Sequence, residues 1–407
     1  VSDRRVIVVG AGVAGLRCAQ VLDELGIGVT VVDRSERVGG RIATDVIDGF
    51  RIDRGFQLLN PSYPQVGRAL DLAPLRLRAF APGMVLCDGA RSATVADPLR
   101  RPLRAFSDLV APIGPLASRA ALVRLLARLR LGSVRRARVD PDRSAEQWLL
   151  DQQISHETIN KVLRPFLAGV LLEERLETSA TITALLLRSF LRGVPGVPEM
   201  GMAAIAEQMA ARLPAGAVQL EAPVRDVLSD RVVLEDGTAL LADRVVVATG
   251  ALAAKALVPS FGARLVRSTT TWWYSTTEPT KHGAMLVVDQ AMGTLVNSVE
   301  MTAAAPTYGP PGRHLVAASA LGLHPEIEAE RAVRERLSAL HKTSTRSWEL
   351  IAMSLVPDAL PVFLPGTGAN RAIEIDGIVL AGDHMASPST QGAMASGERA
   401  ARHVARR

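Results

Sequence analysis

The chain of 407 residues has only two cysteines, Cys18 and Cys87, which excludes a disulfide framework and a thiolate metal site. Its seven histidines are scattered without ligand spacing, so no metal centre is expected. Aromatic residues, at 4%, are too few for the stacking platforms of a single-strand nucleic-acid binder, and no nucleic-acid motif occurs. No apolar run reaches the ~18 residues that span a bilayer. The first residues lead into a predicted strand instead of a secretory apolar region, and the expectation is a cytoplasmic protein. Acidic residues are scarce in one stretch. There Arg100, Arg101, Arg104, Arg119, Arg124, Arg128, Arg130, Arg135, Arg136 and Arg138 face little beyond Asp108.

What is present is apolar: 48% hydrophobic residues with a modest net charge of +6 supply the core of one large domain or two interwoven ones. Val6 to Val9 are a β-branched run of the kind found in buried parallel strands. Gly10, Gly12 and Gly15 follow in the G-x-G-x-x-G spacing, with Ala14 between the last two. The first glycine permits a tight strand-to-helix turn, the second lets a pyrophosphate approach the backbone, and the third lets helix pack closely on strand. Val13, Leu16, Ala19, Leu22 and Leu25 recur at three-residue spacing, the helix stops near Gly26, and the strand "VTVVD" ends in Asp33. That carboxylate stands about 20 residues past the glycines, where it can accept the ribose hydroxyls of an adenosine. Dinucleotide binding follows, whereas a plain glycine turn has no use for Asp33.

The next segment, "RSERVGGRIATDVIDGFRIDRGFQ", carries Arg34, Gly39-Gly40-Arg41 and then Gly55, Phe56 and Gln57. Here the sequence resembles the superfamily of flavin-dependent amine oxidases and phytoene desaturases, including protoporphyrinogen-oxidase-like members. Further elements of the resemblance are "GVPEMGMAAIAEQMAARL", "VQLEAPVRDV" with Val224 against the adenine, "DRVVVATG", and the closing "GIVLAGDHMASPSTQGAMASGERAA". The resemblance implies FAD as cofactor. It implies an α/β fold: a Rossmann-type FAD-binding domain of residues 1–60, 195–255 and 345–407, interwoven with an α+β substrate domain of 61–194 and 256–344, a mixed sheet flanked by helices. In that reading Gly382 and Asp383 approach the ribityl and phosphate oxygens, and amides around Gln391, Gly392 and Ala393 point at the electron-rich edge of the ring.

The first excursion reads as mostly helical and the second as strands, among them "TTTWWYSTT" and "TLVNSVEM". Flavin accepts a hydride, so the protein must chiefly position a C–H bond. Amine oxidases of the superfamily usually carry a lysine near the flavin and a cage of aromatic residues. Here the cage position falls at Ser389 or Thr390, and the strand expected to carry the lysine reads "TTTWWYSTT", with Lys281 beyond it. The Gly-Asp pair of "LAGDH" is more like the carotenoid desaturases. The expected reaction is therefore dehydrogenation of a small hydrophobic substrate, with O2 or another electron acceptor reoxidising the flavin. Alternatives are amine oxidation, oxidation of NAD(P)H as in renalase-like relatives, redox-neutral isomerisation, and a non-catalytic flavoprotein.

Candidate catalytic residues are few. On a strand Trp272 and Tyr274 share one face and Trp273 takes the other, so one set lines the cavity or all pack in the core. His384 either transfers a proton beside the ring or makes a structural hydrogen bond. Arg54 and Gln57 also fall near the ring. In the arginine-rich stretch Leu122, Leu125, Leu126 and Leu129 group on one helix face. The remaining face is open to solvent or to an anionic membrane, and Pro98, Pro102, Pro112 and Pro115 interrupt any long amphipathic helix.

Overall fold

Val6 to Val9 are at most 4% exposed, as the central strand of a parallel sheet requires. The computed structural model describes residues 2–95, 114–262, 264–367 and 373–406. Arg100, Arg101, Arg104, Asp108, Pro98, Pro102 and Pro112 lie outside the described residues. From the amino terminus the chain runs through β1 (Ser2–Val9), α1 (Val13–Glu24), β2 (Ile27–Val32), β3 (Met84–Cys87), β4 (Ser92–Val95), α2 (Leu116–Leu131), α3 (Arg164–Leu171) and α4 (Ala180–Arg192). It continues as β5 (Val218–Gln219), β6 (Arg244–Val247), β7 (Val266–Thr276), β8 (Leu286–Asp289), β9 (Asn297–Glu300), β10 (His314–Leu321), α5 (Ile327–His341) and β11 (Glu349–Pro361). It closes with β12 (Glu374–Ile375), β13 (Ile378–Leu380) and α6 (Thr390–Ala405).

Six strands make one sheet in the order β12-β13-β6-β1-β2-β5. All neighbours are parallel except the edge pair β12–β13. This is the expected α/β layer, and β1 stands between β2, the next strand in the chain, and β6 from its middle, so the strand order reverses there at a topological switch point. α6 lies against α1, and its small residues are the reason it can come so close. A Cβ on Gly397 would stand 2.1 Å from the carbonyl oxygen of Ala14. The last helix therefore braces the first, and β13 pairs with β6 beside it.

A second sheet takes seven strands in the order β11-β7-β10-β9-β8-β3-β4. It is antiparallel except where β8 runs parallel to β3. The strands expected in the second excursion are present as β7 to β10. β11 pairs along its length with β7, and its alternating half-exposed pattern suits an edge strand. The first excursion, mostly helical, also supplies β3 and β4 to the second sheet. Trp272 and Tyr274 pack with Val333 and Leu337 of α5 on one face of β7, while Trp273 is buried on the other with Val299 and Ala317. On α2, Ala121, Leu122, Leu125 and Leu129 are buried, and Leu116, Val123 and Leu131 are exposed.

Candidate active site

The carboxyl ends of β1, β2, β6 and β13 open on one continuous cavity of about 980 Å³, bounded beyond them by α3, α4 and the face of the seven-stranded sheet. At the first turn Gly10 has φ 109°, a left-handed conformation that favours glycine. A Cβ on Gly15 would lie 1.9 Å from the Gly10 carbonyl oxygen, so α1 can sit on β1 only with glycine there. A Cβ on Gly12 would meet no atom within 4 Å. Gly12 thus faces open cavity, and Ala14 lines it as well. No side chain caps α1 and its first turn holds no acidic residue, which leaves amide donors at a positive helix end for an anion.

Asp33 lines the cavity at the end of β2. Its Oδ2 accepts from the Ala11 amide at 2.7 Å and its Oδ1 from the Ser35 amide at 2.8 Å. A carboxylate has about four acceptor positions, so both oxygens retain capacity for ribose hydroxyls. Arg34 and Val224 line the same end.

Gly39 and Gly40 hold φ 113° and 58°, and this lets them press on the first turn: the Gly39 amide donates to the Ala11 carbonyl at 2.9 Å. Arg41 then reaches across to the far end of the chain. Its guanidinium donates to Asp383 Oδ1 at 2.7 Å and to the carbonyl of Ala359 at 2.9 Å. Burial alone would push the Asp383 carboxyl up, but the charge and hydrogen bond of Arg41, with His384 alongside, hold it well below the usual range. Asp383 is therefore a carboxylate, and Arg41 stays protonated beside it. Gly55, Phe56 and Gln57 line the cavity, with Gln57 Nε2 donating to the carbonyl of Arg41 at 2.7 Å.

The carboxy-terminal wall departs from expectation in its details. Gly382 and Asp383 line the cavity, as do Ser389, Thr390 and Ala393. Gln391 and Gly392 do not, because residues 390 and 393 share a helix face that 391 and 392 leave. The Gln391 side chain accepts from the Gln65 amide at 2.9 Å. The Gly392 amide donates to the capping Ser389 Oγ at 3.0 Å, and the Ala393 amide to the Ser389 carbonyl. Gly15 likewise packs the turn without facing the cavity.

Two catalytic candidates lie outside the cavity lining. Trp273 is fully buried, its indole donating to Ser354 Oγ at 3.1 Å. The ring of His384 packs edge-on against Phe261 at 5.4 Å. Neither of its nitrogens has a hydrogen-bond partner among the described residues.

The half of the cavity away from the glycines is apolar. Phe56, Leu58, Phe166, Val170, Leu172, Leu186, Phe190, Leu286, Val288 and Val296 line it. Among the described residues the charged ones that line the cavity, Asp33, Arg34, Arg41, Asp45, Arg54, Asp358 and Asp383, belong to the dinucleotide end, and none is a lysine. Ser389 and Thr390 stand where an aromatic cage residue was sought. Sequence reasoning missed Phe166, Gly169, Phe190, Asn297, Ser319 and Asp358; the only local signal was a polar Asn-Ser pair inside the apolar strand "TLVNSVEM". Among the described residues no group of His, Cys, Asp or Glu is arranged to hold a metal ion, and no helix is long and apolar enough to cross a membrane.

The open face of Gly12, the uncapped start of α1, the Gly39-Gly40 press and Asp33 fit a dinucleotide laid from Val224 toward Gly382. The comparisons agree with that fit. The fold is shared with an oxidoreductase from Methanosarcina mazei (TM-score 0.76, 18% identity, 99% of this chain and 100% of that one). It is also shared with cyclohexylamine oxidase from Brevibacterium oxydans (TM-score 0.70, 18% identity, 100% and 99%). In sequence, protoporphyrinogen oxidase 2 of Arabidopsis thaliana is 42% identical over 76 residues, 19% of this chain. The matched segment spans only 15% of that relative's length. Residues 13–405 match the profile of the flavin-containing amine oxidoreductases; the chain belongs to that family, and its cofactor is FAD.

Proposed function

We propose that the protein is an FAD-dependent oxidoreductase that dehydrogenates a small, uncharged, hydrophobic substrate. The observation that carries this reading is the division of the cavity: among the described residues each charged lining residue stands at the dinucleotide end, and the far half is built chiefly of Phe, Leu and Val. A cationic amine entering that half would lose its hydration with no carboxylate to replace it. Apolar burial, at roughly 25 cal/mol per Å², favours a hydrocarbon-rich molecule instead.

Bound FAD supplies the oxidant, taking up a hydride equivalent from the substrate. The chain's own residues bind, orient and exclude water. Gly10, Gly12, Gly39 and Gly40 with the start of α1 receive the pyrophosphate, Asp33 the adenosine ribose, and Arg41 with Asp383 the region between phosphates and ring. Phe56, Phe166 and Phe190 hold the substrate, their bulk removing water from the reacting end. Among the described residues no side chain lining the apolar half carries a charge, which suits a reaction that rests on positioning a C–H bond. Dioxygen or another acceptor restores the oxidised cofactor. Residues 1–60, 195–255 and the segment after residue 361 serve as the cofactor-binding unit, with 61–194 and 256–361 as the substrate unit. α2 adds a peripheral contact: exposed Leu116, Val123 and Leu131 lie among Arg124, Arg128 and Arg135, a pattern suited to an anionic membrane surface.

The test is anaerobic mixing of the flavin-loaded protein with a panel of donors. Loss of the flavin absorption band with uncharged lipophilic donors and not with diamines is expected. Bleaching by putrescine or by NADPH, with none from lipophilic donors, would refute the substrate class. Turnover without bleaching would indicate isomerisation.

A further inference from the structure

One polar side chain interrupts the apolar half. Asn297 opens β9 and faces the cavity, and it is 7% exposed. Its carboxamide has no hydrogen-bond partner among the described residues, and its cross-strand neighbours are Val288 and Ser319. Its cross-strand partner Ser319 also lines the cavity and lies 3.3 Å, Oγ to Oγ1, from Thr271. The Thr271 hydroxyl in turn accepts from the Phe56 amide at 3.3 Å. On the opposite wall Gly169, from α3, leaves the room the carboxamide occupies: a Cβ there would lie 2.4 Å from Asn297 Nδ2. Phe166 and Phe190 pack edge to face beside it, their centroids 5.6 Å apart.

A carboxamide more than nine-tenths buried in an apolar wall is costly unless something pairs with it. Among the described residues nothing pairs with it, while glycine at residue 169 preserves its space. An amide offers two donors and an acceptor, so it pairs with a carbonyl or hydroxyl group, whereas an ammonium in this half would keep an uncompensated charge. We propose that Asn297 is a specificity residue whose carboxamide hydrogen-bonds a carbonyl or hydroxyl oxygen of the substrate. The substrate is then a lipophilic molecule with one uncharged polar group, and not a pure hydrocarbon. This rests on the functional reading above and narrows it.

The experiment uses the FAD-loaded full chain and three probes of equal carbon number: methyl nonyl ketone, undecane and undecylamine. Binding is read from the shift of the flavin absorption envelope during titration and from the rise in Tm. The ketone is expected to bind about tenfold tighter than the alkane, the worth of one buried hydrogen bond. Asn297→Leu, close in size, abolishes that ratio by weakening the ketone while leaving the alkane unchanged. Gly169→Ala, which displaces the carboxamide without touching its chemistry, also abolishes it and serves if the first variant loses its fold. Equal affinity of ketone and alkane in the wild type, or a ratio that survives in both variants, overturns the proposal. Tightest binding of the amine overturns it in favour of a cationic ligand. Binding of none of the probes to flavin-loaded protein overturns the hydrophobic-substrate reading itself, which separates the two failures.

Discussion

Gly12 and Gly15 stand one turn apart in the same motif, and the structure assigns them opposite failures. Gly12 has φ −75° and ψ 176°, a conformation open to any residue, and a Cβ there meets nothing within 4 Å. Alanine at this helix-start position loses some capping preference but also restricts the unfolded chain, terms of about 1 kcal/mol or less that oppose each other. Gly12→Ala is therefore expected to keep the apoprotein's Tm within about 2 °C. The added methyl intrudes on the space for the pyrophosphate. Displacing one charge-assisted hydrogen bond costs about 1.5–3 kcal/mol and overpacking about 1–3 kcal/mol. Together that is roughly two to four powers of ten in the Kd for FAD. Gly15→Ala reverses the pattern: its Cβ would lie 1.9 Å from a backbone oxygen that cannot rotate away. Helix and strand must separate, at about 3 kcal/mol or more. The assay measures Tm of the apoproteins beside FAD affinity by titration. A Gly12→Ala variant that binds FAD as tightly as wild type, or a Gly15→Ala apoprotein with wild-type Tm, would refute the division of labour.

Three further outcomes follow from other parts of the structure. Asp53 is fully buried, and burial pushes its carboxyl up to about 6 against hydrogen bonds from Thr44, Met202 and Tyr308. The folded state therefore holds a proton the unfolded state has released. Stability falls as pH rises from about 4 to about 6, by roughly 3 kcal/mol, and levels off above that. Asp53→Asn should remove this slope, so its Tm relative to wild type should be higher at pH 7.5 than at pH 4.5; an unchanged difference would rule the account out. His384 lines no cavity, and since loss of a general acid or base costs roughly 10²–10⁴-fold, His384→Phe is expected to leave flavin reduction within about threefold of wild type. A hundredfold loss in stopped-flow reduction would restore it as a proton carrier. Finally, Arg124→Glu with Arg128→Glu should reduce co-sedimentation with phosphatidylserine vesicles and leave the soluble fold intact by Tm. If wild type itself stays in the supernatant, the exposed face of α2 serves solvent alone.

The cofactor end was legible in the sequence because its geometry is local. Gly10 must take a left-handed turn, Gly15 must let a helix touch a strand, and Asp33 must end the next strand. Each requirement acts within some two dozen residues and leaves its mark on residue type. The same holds for Gly39, Gly40 and Gly382, whose backbone angles suit glycine. One step further out the code is weaker. Gln391 and Gly392 sit beside Ala393 in sequence, yet helical rotation turns them to the Gln65 loop and to Ser387. His384 follows Asp383 directly, but its ring packs on Phe261. Sequence adjacency identifies the segment and leaves side-chain direction open.

The substrate end has no such local code, and this is a physical consequence of how it is made. Its wall joins α3, α4 and the inner face of β7 to β11, segments that meet only because the second sheet forms. An apolar residue such as Phe166 or Val288 obeys the same burial rule whether it faces a core or a cavity, so composition cannot separate the two. Asn297 is different in kind. A core position would penalise an unpaired carboxamide by roughly 1–3 kcal/mol, and the alternation of β9 gives it no exposed face on which to escape. With no partner among the described residues and a glycine that makes room for it, such a carboxamide is suited to pair with a group of the substrate. That inference needed the structure, because only there do residues 169 and 297 become neighbours.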